Sequence, residues 1–171
     1  MPFNFNADHI AAQSGGFEPQ RLNHFTIQFA GLGSADVIES SLLNFQMPTS
    51  EIQEVVIPYG NEDRKVAGKA TVSEMSLTIV DYVDKDTWGA FNEWKNQVYN
   101  ARSGEIGWAK DYKREGTVTL YGPKGEKTRR WKCIGCWPRS ITPEQFTQES
   151  AERNNLTVAL SCDKVLPESQ Q

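Results

Sequence analysis

Cys133-Ile-Gly-Cys136 is the stretch of this 171-residue chain closest in spacing to a chemical motif. A redox C-x-x-C sits at a helix start after a strand, and a zinc centre needs four ligands. Here the flanking residues read as the end of a strand, where positions three apart point to opposite faces. The third cysteine, Cys162, falls on another strand, and only His9 and His24 remain to complete a ligand set. The spacing therefore predicts small buried hydrophobes rather than a metal or redox centre. Neither histidine has a serine or cysteine nucleophile at a recognisable elbow, and both read as surface or edge residues. Gly31-Leu-Gly33 is too short for a dinucleotide fingerprint and reads as a tight turn. The carboxylates are scattered, with no pair to nominate for glycoside chemistry. No catalytic, cofactor-binding or metal-ligating residue is predicted, no cofactor is implied, and the chain does not read as an enzyme.

Charge offers more. Lys124, Lys127, Arg129, Arg130 and Lys132 form the densest basic cluster. Three readings stand: a salt-bridging contact surface for a protein partner, a phosphate contact, or solvated strand and turn residues that discourage stray edge pairing. Asn61-Glu-Asp-Arg-Lys65 carries both signs in five residues. Such a segment suits docking on a copy of itself, or is a plain solvated loop. The net charge of −4 and a pI near 5.3 argue against a phosphate-gripping protein. The five tryptophans read as core or interface anchors rather than base-stacking platforms.

The elements that must position these residues are mostly strands. Phe25, Ile27 and Phe29 alternate with His24, Thr26 and Gln28; Leu43, Phe45 and Met47 alternate with Asn44 and Gln46. Glu51 to Ile57 is a β-branched run. Tyr59 to Thr71, polar and bounded by glycine, reads as a long exposed loop of the kind that is often functional. Ser73 to Val80 buries Met75, Leu77 and Ile79 on one face. Thr117–Tyr121, the turn Gly122-Pro-Lys-Gly125 and Arg129–Ile134 make a hairpin, whose second arm Pro138 is expected to stop. Ile141 to Glu149 reads as a short strand or loop, and Leu156, Val158, Leu160 and Cys162 mark the last strand.

One helix is predicted, Asp84 to Arg102. Asp84 or Asp86 is its N-cap, Arg102 and Gly104 suit its other end, and Trp88, Phe91, Trp94 and Val98 form the face that covers a sheet. The reading is one domain over residues 1–171, with an N-terminal arm (1–16) and a polar C-terminal tail (164–171). The fold class is mainly β: a sandwich or barrel of about seven strands with one flanking α-helix. No apolar run approaches the ~18–20 residues of a membrane span, and residues 1–8 lack the pattern of a signal peptide. A cytosol-like compartment is expected, with no membrane partner.

The order of features resembles the tail tube proteins of contractile-tailed bacteriophages and, more distantly, the tube proteins of type VI secretion systems. The matching stretches are Phe17-Glu-Pro19, Asn23-His-Phe25, Arg64-Lys-Val-Ala-Gly68, Leu77-Thr-Ile-Val-Asp81, Phe91-Asn-Glu-Trp94, Tyr112-Lys113, Ile134-Gly-Cys-Trp-Pro138 and Leu156-Thr-Val-Ala-Leu160. They span about residues 17–163. The resemblance implies hexameric rings whose inner sheets join into one β-barrel and which stack into a hollow tube inside a contractile sheath. It also implies that DNA crosses the bore without specific binding, and that sheath, baseplate and tail terminator proteins are partners. The tube would be part of a virion and assembled in the host cytoplasm. Asn61, Asp63, Arg64, Lys65 and Val66 are expected at contacts between subunits, and Lys124, Lys127 and Arg129 between rings. A tube subunit of a capsid-less injection system is the nearest alternative; a small-ligand-binding β-barrel, which needs an apolar cavity, is the remote one.

Overall fold

The computed structural model describes residues 20–32, 35–144 and 153–168. The expected arm (1–16), Phe17-Glu-Pro19, His9 and most of Ile141–Glu149 lie outside them. Strand far outweighs helix among the described residues, so the chain is mainly β.

Strands β1 (Phe25–Phe29), β2 (Leu42–Gln46), β5 (Met75–Val80), β8 (Arg114–Tyr121), β9 (Lys127–Pro143) and β10 (Asn155–Ser161) pair in the order β1-β8-β9-β10-β5-β2. β11 (Lys164–Glu168) pairs with β9 beside this path, and every one of these pairings is antiparallel. β9 belongs to two sheets. Its first half lies between β8 and β11, and its second half pairs with β10. The alternating inward residues of both sheets meet in one core: Ile27, Val118 and Cys133 from one side, Leu77, Ile79, Val158 and Leu160 from the other. The fold is a sandwich curling towards a barrel.

Two irregularities in β9 make the turn between sheets. Arg114 pairs with Cys136 but Gly116 pairs with Cys133, so β9 carries one extra residue there. Gly135 supplies it with a φ of 70°, a left-handed conformation that suits glycine at a bulge. A second shift lies between Ala159 and Leu160, opposite Ser140 and Pro138. The expectation that Pro138 ends the arm is corrected: β9 continues to Pro143, because the missing N–H of Pro138 falls beside a break in the ladder.

Three helices are present among the described residues: α1 (Ala35–Ser41), α2 (Thr87–Val98) and α3 (Ala109–Tyr112). The expected helix is therefore shorter than Asp84–Arg102. Asp86 is the N-cap, its Oδ1 accepting from Gly89 N at 2.8 Å. At the other end Asn100 Oδ1 accepts from Arg102 N at 3.0 Å, so Arg102 and Gly104 lie beyond the helix in a turn between β6 (Tyr99–Asn100) and β7 (Glu105–Ile106).

The inward stripe of α2 is Thr87, Phe91 and Trp94, with Val98 half-buried. Trp94 rests 5.4 Å from Phe29 and donates its indole N–H to the Tyr112 carbonyl at 2.7 Å. Trp88 is 45% exposed, which corrects its place among the sheet-covering residues. Thr87, Phe91 and Trp94 follow i, i+4, i+7; Trp88 stands one position, roughly 100°, further round the helix.

Candidate assembly interface

Between β2 and β5 the chain leaves the sandwich as β3 (Ser50–Tyr59) and β4 (Glu62–Val72), a sheet of two strands only. The long loop expected over Tyr59–Thr71 is thus a strand. Its polar and charged residues alternate on a ladder from Ser50↔Val72 to Tyr59↔Glu62. Gly60-Asn61 closes it, with Gly60 at φ 67°, a pattern that suits a two-residue type II′ turn.

The hairpin is exposed along nearly its whole length on both faces; Gly68 and Val72, towards its base, are half-buried. Ile52, Val55, Val56, Ile57, Tyr59 and Val66 all remain at least 45% exposed. A lone two-stranded ribbon is marginal in water, and one carrying this much apolar surface is stable only when covered. Asn61, Asp63, Arg64, Lys65 and Val66 fall together on its outer half, facing Pro58, Ile57, Val56 and Val55. Lys65 bonds Glu54 at 3.0 Å across the strands, so part of the mixed charge is satisfied within the hairpin.

The basic cluster divides. Arg130 bonds Glu168 at 3.0 Å and Lys132 bonds Glu115 at 2.9 Å on the outer face of the β1-β8-β9-β11 sheet. Lys124 lies in the β8–β9 turn, held by its N–H to Glu126 Oε2 at 2.9 Å. Lys127 and Arg129 are exposed at the start of β9, opposite Tyr121 and Leu120. The residues expected between rings thus share one end of the sandwich.

The second sheet has a different outer face. Two rows cross its four strands: Asn44, Thr78, Thr157, Thr142, and Gln46, Ser76, Ala159, Ser140. Neither row contains a charge, and Ala159 alone is apolar. The inward rows of the same strands, Phe45, Leu77, Val158, Ile141 and Leu42, Ile79, Leu156, Pro143, are apolar throughout.

An open cleft of about 630 Å³ lies against α2, lined in part by Asp86, Glu93, Gln97 and Arg114. It is polar rather than apolar. Arg114 packs over the Trp94 ring at 5.3 Å and donates to Gln97 Oε1 at 3.1 Å, and partial burial lowers its pKa. Among the described residues no group of three or more His, Cys, Asp or Glu is arranged to hold a metal.

The cysteines are closer than their spacing suggests. Cys133 and Cys136 are both fully buried, because the bulge at Gly135 shifts the strand's alternation by one. The expectation of opposite faces is corrected accordingly. Cys136 Sγ lies 2.9 Å from Cys162 Sγ and donates to the Cys133 carbonyl at 3.6 Å. Side-chain hydrogen bonding to Cys133 and then Cys162, together with burial, pushes the Cys136 thiol well above the ordinary range, keeping it protonated.

A family model described as T4-like virus tail tube protein gp19 matches residues 21–165. The chain belongs to that family. It is a structural tail tube subunit of a phage-like contractile particle. Its fold is similar to the sheath/tube terminator of the extracellular contractile injection system PVC, at TM-score 0.68 and 14% identity, covering 89% of this chain and 98% of the other. The sheath-tube complex of the same system is similar at TM-score 0.62 and 17% identity, covering 98% and 100%. A type six secretion system protein is similar at TM-score 0.51 and 12% identity, covering 83% and 80%. No curated protein sequence matches the chain significantly.

The sequence pattern did not reveal a free-standing hairpin. The signal available in the sequence was the β-branched set Ile52, Val55, Val56 and Ile57 facing a charged partner strand. The uncharged rows were also legible as the polar halves of alternating strands, but not as neighbours, because their register is set by pairing across distant segments.

Proposed function

We propose that the chain forms hexameric rings that stack into a hollow phage tail tube through which DNA leaves. The single observation carrying this reading is the β3–β4 hairpin, whose apolar residues are exposed on a ribbon too thin to stand alone. A second copy is the partner that satisfies it, with Asn61, Asp63, Arg64, Lys65 and Val66 at the contact. Lys124, Lys127 and Arg129 meet the adjoining ring. Closure of the ring also removes the open edges of the sandwich, a hazard for a monomer.

The face bearing Asn44, Thr78, Thr157 and Thr142 lines the bore. Polymeric phosphate slides past uncharged hydroxyls and amides without the counterion release that basic side chains produce. The other sheet's face, with Arg130, Lys132 and Lys164, meets protein instead. Sheath, baseplate and terminator proteins are the further partners. The role is mechanical, with no catalysis, cofactor or membrane contact, and assembly takes place in the host cytoplasm.

Negative-stain imaging of the purified protein tests the assembly. Hollow rings or tubes of uniform bore are expected; a strictly monomeric species at high concentration, even with sheath or baseplate proteins added, would sink the reading. A side-chain-resolution map of the tube must place Asn44 and Thr157 at the bore, and finding them on the outer wall would reject that assignment. Particles whose tubes never contain or pass DNA would instead indicate a capsid-less injection device.

A further inference from the structure

The thiol cluster at the corner of β9 is absorbed by none of the assembly surfaces. Cys136 precedes the residue pair Trp137↔Ser161 on β9, and Cys162 follows it, so the antiparallel register sets the two cysteines opposite one another. Directly opposed residues carry Cβ atoms ~4.5–5.5 Å apart, and a disulfide spans about 3.5–4.5 Å. Their sulfurs already approach to 2.9 Å. A disulfide there needs a small inward adjustment and no rearrangement of strands.

We propose that Cys136 and Cys162 form a disulfide site that closes when the subunit meets hydrogen peroxide. Cys162, at 7% exposed, is the sulfur that a small oxidant reaches; Cys133 and Cys136 are fully buried. The Cys162 thiolate attacks one peroxide oxygen, the O–O bond breaks, and the released hydroxide takes up a proton as water, leaving a sulfenic acid. The Cys136 sulfur then attacks the Cys162 sulfur. An S–S bond forms, and the hydroxyl leaves with the Cys136 proton as a second water. One peroxide is reduced to two waters while two thiols are oxidised to one disulfide.

Cys133 stays outside this exchange. Its carbonyl accepts from Cys136 at 3.6 Å, while the Cys136 sulfur also lies 2.9 Å from the Cys162 sulfur across the strands. The link joins positions 26 apart in sequence and fastens the end of β10 to the point where β9 passes between sheets. Asp163, the next residue, already anchors this corner through Lys113 at 2.7 Å. The site is a property of the folded subunit and does not depend on how subunits assemble.

Peptide mapping tests it. Reduced wild type and Cys133→Ser are treated with stoichiometric hydrogen peroxide, then denatured in an alkylating reagent and digested without reductant. Both are expected to yield the peptide containing Cys136 joined to that containing Cys162. Of the three cysteines, one alkylated thiol remains in wild type and none in the variant. The oxidised protein should melt roughly 5–10 °C above the reduced form. Three alkylated thiols, a Cys133–Cys136 link, a link between chains, or Cys162 driven to sulfinic acid without a crosslink would each overturn the proposal. Should the variant fail to fold, fragment-ion placement of the alkyl group on Cys133 in the wild-type linked peptide decides alone; alkyl on Cys136, which means a Cys133–Cys162 link, overturns the proposal.

Discussion

The rings of Phe25 and Phe45 stack with centroids 6.0 Å apart and planes inclined by 26°. The two residues come from β1 and β2, the strands at opposite ends of the pairing order. Side chains therefore bring together what the hydrogen-bond ladder leaves furthest apart, and the sheet path curls almost to closure. A double-mutant cycle with Phe25→Leu and Phe45→Leu should return a coupling of about 0.5–1.5 kcal/mol by urea unfolding. Additive effects would place the two rings in independent environments.

Two tryptophans on one helix should behave oppositely. Trp94 is 1% exposed and hydrogen-bonded; Trp88 is 45% exposed. Trp94→Ala is expected to cost ~3–5 kcal/mol of stability, the range for emptying a large aromatic site. Trp88→Ala should cost less than about 1 kcal/mol. Equal losses in denaturant titrations would contradict the helix register.

At the hairpin, Val66→Asp should abolish rings or tubes without unfolding the subunit. Val66 faces Val55 near the middle of an exposed ribbon, so a new charge there stays solvated in the monomer but must be desolvated in a contact. Sedimentation velocity should record the loss of assembly while the melting temperature stays within a few degrees of wild type. Normal tubes from Val66→Asp would remove the hairpin from the interface.

The reduced subunit should lose stability in alkali. Hydrogen bonding to Cys133 and Cys162, reinforced by burial, raises the folded-state pKa of Cys136 above its unfolded value. A raised pKa gives stability that is fully present below the unfolded thiol value, about 8.5, and that falls as pH climbs beyond it. Urea midpoints should therefore be level near pH 7 and decline above about pH 9, with a shallower decline in Cys136→Ala. Native-state alkylation near pH 8 should spare Cys136.

Strands with one buried face were readable in the sequence. Phe25-Ile27-Phe29 and Met75-Leu77-Ile79 announced themselves by alternation because water lies on one side and the core on the other. The β4 strand did not. Both its faces are exposed, so no period distinguishes them, and its charges suggested a loop. The seven residues of α1 complete barely two turns and offer too short a pattern, although Ile38 is buried. Lys164–Glu168 read as tail because Pro167 argues against a central strand; as the outermost strand beside β9 it is allowed, which corrects the expected tail. The cysteine cluster depended on one bulge. A single inserted residue turned two side chains of expected opposite aspect into neighbours, and only the paired strand reveals the insertion.

The seventeen residues of β9 run unbroken from the charged end of the subunit, through the glycine corner, into the sheet whose outer face carries the two uncharged rows. Two sheets joined only by packing would slip past one another under load. Here a pull on the Gly122–Gly125 turn travels along covalent backbone, and the ladders to β8, β10 and β11 are sheared together instead of peeled apart bond by bond. That one strand ties both sheets into a single unit, as a rib does within a hull.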